Sequence, residues 1–83
     1  MSARIIFFAN IREALGVGEV QLELPAGCRV GDLVTLLQRE FGEAAEVLTA
    51  ENTRVAIDQE LIQGDPDISA ATEVAFFPPV TGG

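Results

Sequence analysis

The chain has no lysine, no histidine, no tryptophan and no tyrosine, and its only cysteine is Cys28. With neither histidine nor a second cysteine it can form no intrachain disulfide, no iron–sulfur ligand set and no zinc site built from Cys and His. No metal site is expected. The missing lysine has a chemical consequence. All five cations are arginines, so no side-chain amine can attack an activated acyl group, and isopeptide-linked chains cannot grow from this protein. Positive charge is scarce too: the net charge of −8 argues against binding nucleic acid or an anionic membrane through phosphate contacts. It suits a basic protein partner, or solubility alone. Long apolar runs are also missing. No stretch approaches the roughly 20 residues of a membrane span, and Met1-Ser2-Ala3-Arg4 leads into a strand pattern instead of a signal peptide. A cytoplasmic location is expected.

What is present is the composition of one small globular domain. Eighty-three residues leave no room for a second core, and 48% apolar with 22% charged residues is too hydrophobic for a disordered chain. The thirteen carboxylates lie scattered over surface positions and turns with no histidine to partner them, so they read as solvated charge and not as a general acid and base. Cys28 follows Pro25-Ala26-Gly27 and reads as a small structural residue. Gly16-Val17-Gly18 lacks the lysine of a phosphate-binding loop. The chain is expected to bind no nucleotide or other cofactor by itself.

Arg4 to Ala9, rich in Ile and Phe, predicts a buried first strand, followed by a short helical turn from Ile11 to Leu15. Val20, Leu22 and Leu24 alternate with Gln21 and Glu23, which predicts a strand with one wet face. Apolar residues at 30, 33, 34, 37 and 41 fall on one helical face, with Asp32 in the first turn and Gly42 as the stop. Cys28 and Arg29 are poor N-caps, so the start of this helix has no evident cap. Glu43 to Ala50 allows a second short helix. Arg54 to Ile57 predicts a strand, Asp58-Gln59 a tight turn into Glu60-Leu61-Ile62, and Gly64-Asp65-Pro66-Asp67 a further break. A last strand, Val74 to Phe77, follows a turn at Ser69 to Thr72. This order predicts an α+β roll, read as a β-grasp, with a mixed sheet of about five strands and one main helix on one face. If Ile5, Phe7, Val74 and Phe76 face that helix, alternation places Ile6, Phe8, Ala75 and Phe77 on the opposite face, where Leu61 joins them in a greasy patch.

After Phe77 the character of the chain changes. Pro78 and Pro79 remove two backbone donors and end the strand's ladder, and Val80, Thr81, Gly82 and Gly83 complete the sequence. The expected organisation is a domain over 1–77 and a flexible, extended tail over 78–83. Six extended residues reach roughly 20 Å, and a diglycine can pass a narrow cleft and present its carboxylate without obstruction. An inert tail is the plain alternative.

The string Val74-Ala75-Phe76-Phe77-Pro78-Pro79-Val80-Thr81-Gly82-Gly83 resembles the end of the small, sulfur-carrying subunits of molybdopterin synthase. Ile6-Phe7-Phe8-Ala9 with Ile11-Arg12-Glu13 resembles that family's opening strand and turn, and Val55-Ala56-Ile57-Asp58-Gln59 its central strand. The resemblance implies a ubiquitin-like fold whose first and last strands run parallel at the sheet centre. It also implies a chemistry in which an ATP-using, ubiquitin-activating-like adenylyltransferase activates the Gly83 carboxylate. Sulfur then replaces AMP, and the resulting thiocarboxylate attacks a pyranopterin precursor held by the large synthase subunit. Phe8, Leu61, Phe77, Pro78, Pro79, Val80, Thr81 and Gly82 become the expected partner contacts, and the chain a carried reagent without catalysis of its own. A carrier for thiamine's thiazole, or a ubiquitin-like protein modifier, would share the terminal diglycine. In one place the sequence departs from the family, which has a Gly-Asp pair where this chain has Ala71-Thr72.

Overall fold

A computed structural model describes residues 2–50 and 53–78. Strand β1 (Ser2–Phe7) is followed by helix α1 (Ala9–Leu15), strand β2 (Glu19–Glu23), helix α2 (Val30–Phe41) and a 3₁₀ segment, Gly42–Thr49. Strands β3 (Arg54–Ile57), β4 (Glu60–Ile62) and β5 (Glu73–Phe77) complete the fold. The five strands form one sheet in the order β2-β1-β5-β3-β4. The central pair, β1 and β5, is parallel and every other pair is antiparallel. This is the mixed sheet and parallel centre expected of a β-grasp.

The period-two reading of the central strands holds. Ile5, Phe7, Val74 and Phe76 are buried against Leu33 and Leu37 of α2, as residues of one sheet face must be when a helix covers it. Phe7 stacks on Phe76 with ring centroids 6.1 Å apart and meets the edge of Phe41 at 6.2 Å. Burying each phenylalanine contributes about 1.5–3 kcal/mol. The 3₁₀ segment, which takes the place of the allowed second helix, adds Ala45 and Leu48 to the same core.

The first strand begins and ends earlier than its composition suggests, at Ser2 and Phe7 instead of Arg4 and Ala9. The reason lies at Ala9, whose φ of +51° turns the chain out of the extended direction and starts α1 there instead of at Ile11. Gly42 ends α2 as expected, at a φ of +64°. The start of α2 is held by its own Asp32 and by a distant loop. Asp32 accepts a hydrogen bond from the Arg29 backbone N–H at 3.0 Å, and the carboxylate of Asp65 accepts one from Gly31 at 2.8 Å. Arg29 in turn donates its guanidinium to the Asp65 carbonyl at 3.1 Å. One free N–H of the first turn, that of Gly31, is thus satisfied by a loop 34 residues further on.

Cys28 lies beneath this junction, buried, with its carbonyl accepting a hydrogen bond from Ile68 at 2.7 Å. Burial, helped by Asp32, Asp67 and Asp65, pushes its thiol pKa up. It therefore stays protonated and unreactive, in keeping with a structural role.

Candidate partner-docking face

The sheet face turned away from α2 changes character along the strands. At the end where β1 and β5 begin it is polar: Arg4 donates to the Glu73 carboxylate at 2.7 Å and lies 4.0 Å from Glu19, while Ser2 donates to Gln21 at 2.9 Å. The hydrogen bond to Glu73 and the charge of Glu19 raise the Arg4 pKa, and the three side chains form a ladder across three strands.

One step along, the face becomes apolar. Registers place Ile6 opposite Ala75, Ala75 opposite Ala56, and Ala56 opposite Leu61. Cross-strand partners share a face, so this is one continuous apolar row over four strands. A second row lies at the far end of β1 and β5. Phe8 follows the Phe7–Phe76 pair in extended conformation (φ −118°, ψ 156°), and Phe77 follows Phe76. Phe8 and Leu61 are 49% and 58% exposed, among the few large apolar side chains left in contact with water. Phe77 is half-buried. The patch expected from alternation is therefore assembled, with one correction: Ala75 adds little open surface, at 8% exposure, because its small side chain sits between Ile6 and Ala56.

Phe8 is held in place although its ring is exposed. Its N–H donates to the Phe76 carbonyl at 3.1 Å, and its own carbonyl accepts from Ile11 at 3.1 Å and Arg12 at 3.3 Å. The backbone is tied to both the central strand and the first turn of α1, so little order has to be gained when the ring meets a partner. A cavity of about 410 Å³ opens beside it, lined by Ile6, Phe8, Ala9, Arg12 and Glu19 among others.

Pro78 closes the described part of the chain. Pro79, Val80, Thr81, Gly82 and the candidate reactive residue Gly83 lie outside the described residues. Among the described residues, no group of three or more His, Cys, Asp or Glu side chains could hold a metal ion, and no helix is long and apolar enough to cross a membrane. Two members of the face were not singled out in the sequence, Ala56 and Arg54. Their membership follows from the β3–β5 register, which a lone sequence does not reveal.

Residues 5–83 match the ThiS family. The chain is 37% identical to the molybdopterin synthase sulfur carrier subunit of Haemophilus influenzae, over 95% of this chain and 96% of that one. It is 34% identical to the protein of the same name from Escherichia coli, over 96% and 98%. Among solved structures, SAMP1 from Haloferax volcanii superposes with a TM-score of 0.75 at 25% identity over the full length of both chains.

Proposed function

The chain belongs to the ThiS family, alongside the molybdopterin synthase sulfur carrier subunits, and we propose that it carries sulfur for a molybdopterin synthase on the carboxylate of Gly83. A carboxylate is a poor electrophile until one oxygen becomes a leaving group. An ATP-using adenylyltransferase of the ubiquitin-activating kind makes it one, releasing pyrophosphate and leaving an acyl adenylate. The outer sulfur of a persulfide displaces AMP to give an acyl disulfide, and a thiol then cleaves its S–S bond, releasing the thiocarboxylate and leaving the two thiol sulfurs joined as a disulfide. Dividing a hard substitution through an acyl intermediate is ordinary covalent catalysis. The anionic sulfur then adds to the pyranopterin precursor in the large subunit, and water cleaves the resulting thioester, leaving the sulfur on the precursor and returning the Gly83 carboxylate. ATP serves the activating partner, and the catalytic groups belong to the partners.

The observation that carries this reading is that Phe77 belongs to two things at once. It ends the central strand β5 on the apolar side of the outer face, and the Pro78-to-Gly83 stretch starts from it. Docking of a body over 1–77 through Phe8, Leu61 and Phe77 brings the end of β5, after which 78–83 follow, to the partner's surface. The test is to incubate the purified chain with adenylyltransferase, ATP and a sulfur source and measure its intact mass. A gain equal to exchange of one oxygen for sulfur, lost again when large subunit and precursor are added, is the expected result. An unchanged mass, or a gain equal to a covalently attached protein, overturns it.

A further inference from the structure

The outer face ends, on the side where the chain leaves β5, at a cation. Arg54 opens β3 directly opposite Phe77 in the antiparallel β3–β5 register, so its side chain shares the face of that phenylalanine. It is exposed. The other cation of this face, Arg4, is already engaged by Glu73 and Glu19. The Arg54 side chain makes no hydrogen bond or ion pair among the described residues, although the chain offers thirteen carboxylates to five cations. An exposed guanidinium with no side-chain partner among the described residues therefore lies across from Phe77, after which the tail begins.

We propose that Arg54 is a specificity-determining contact for the large synthase subunit, pairing with a carboxylate of that partner. The inference rests on the carrier reading above. In a chain of net charge −8 the partner's facing surface is expected to be largely basic, and one acid opposite one base within such a surface fixes orientation, because any other register sets like charges against each other. A guanidinium binds a carboxylate through two parallel hydrogen bonds, which adds direction as well as attraction. Placed at the root of the tail, this contact limits rocking of the body about the apolar rows. It thereby fixes the orientation of the end of β5, after which the last six residues follow.

The test is titration of the large subunit with Arg54→Glu, Arg54→Gln and Arg54→Lys, and with Arg39→Glu as a control. Arg39 lies exposed in the last turn of α2, on the other side of the molecule, and its reversal changes net charge equally. Arg54→Glu should weaken the complex by roughly tenfold or more, Arg54→Lys should retain more affinity than Arg54→Gln, and Arg39→Glu should bind nearly as the unaltered chain. Equal losses for Arg54→Glu and Arg39→Glu overturn the proposal, since net charge alone would then be responsible. So does an Arg54→Glu variant that loses only loading by the adenylyltransferase, because the carboxylate would belong to that partner. Phe77→Ser in the same titration separates the two levels. If it loses binding while Arg54→Glu does not, the Arg54 contact alone is wrong; if both bind normally, the docking face itself is wrong.

Discussion

Asp58 and Thr72 join the β3–β4 hairpin to the start of the central strand β5. One oxygen of the Asp58 carboxylate accepts three hydrogen bonds: from the Thr72 hydroxyl at 2.6 Å, the Thr72 N–H at 3.0 Å and the Glu73 N–H at 3.0 Å. The Asp58 N–H donates to the Glu73 carbonyl at 2.9 Å. Asp58 and Gln59 take φ of +49° and +71°, the type I′ geometry of a two-residue hairpin. The departure at Ala71-Thr72 from the family's Gly-Asp pair thus leaves a closed turn, with the threonine hydroxyl as its strongest donor.

This joint predicts an acid-sensitive stability. The Thr72 hydroxyl first, then the two backbone N–H groups, hold the Asp58 carboxyl below its ordinary pKa, and Ser69 does the same for Asp67. A folded-state pKa below the unfolded one stabilises the protein at pH above the unfolded value of about 4, and the gain is lost as pH falls through the folded value. Asp58→Asn keeps the left-handed turn conformation but removes the charge. Its melting temperature should be lower than that of the unaltered chain at pH 7 and should fall less between pH 5 and pH 3, as thermal melts across that range would record. Identical slopes for the two proteins would show that this carboxylate does not set the acid limb.

Phe76 and Phe77 are neighbours with opposite assignments, and substituting each separates fold from docking. Phe76 is fully buried against Phe7, so Phe76→Ala should cost about 3–5 kcal/mol of stability, a large part of the total for a domain this size. Phe77→Ser should leave the melting transition nearly in place and weaken the large-subunit complex by ~2 kcal/mol or more, the scale of an interfacial aromatic. Denaturant melts and binding titrations on the same two variants check both halves. Phe77→Ser binding with full affinity would remove Phe77 from the interface.

The difference between these neighbours was readable without coordinates, because alternation along a strand is strictly two-residue and Ile5, Phe7, Val74 and Phe76 share one phase. Other features depend on partners far away in sequence. Beside the local Asp32, the start of α2 is held by Asp65, which no local pattern around Cys28 and Arg29 announces. The early turn out of β1 rests on the positive φ of Ala9, a residue type with no preference for it. Arg54 looks like any exposed arginine until the β3–β5 register sets it opposite Phe77.

The chain's acidity should appear in kinetics before it appears in affinity. Complementary charge accelerates encounter more than it tightens the final complex, and mobile ions screen it over about 10 Å at 0.1 M salt. With a net charge of −8, association rates with the large subunit should fall as salt rises, while dissociation rates, set by the apolar rows, change little. Stopped-flow association at several ionic strengths distinguishes this from a flat response, which would leave the acidity serving solubility alone.

The free carboxylate of Gly83 should be indispensable to sulfur transfer and irrelevant to folding. Only a terminal carboxyl can be adenylated and then exchanged for sulfur, so an alanine added after Gly83 displaces the reacting group by one residue, and deleting Gly83 withdraws it by roughly 3.5 Å. Near-attack geometry does not tolerate a shift of that size. Neither change alters any residue of the core formed by Ile5, Phe7, Leu33, Leu37, Val74 and Phe76. Melting temperatures of both variants should therefore match that of the unaltered chain, while the mass gain on incubation with adenylyltransferase, ATP and a sulfur source, and the product formed with the large subunit, should disappear. The pairing of the two readouts matters, because a loss of transfer accompanied by a lower melting temperature would point to damage in the fold instead of displacement of the carboxylate. Full sulfur transfer by the alanine-extended chain would sink the carrier assignment, since the carboxyl doing the chemistry would no longer be that of Gly83.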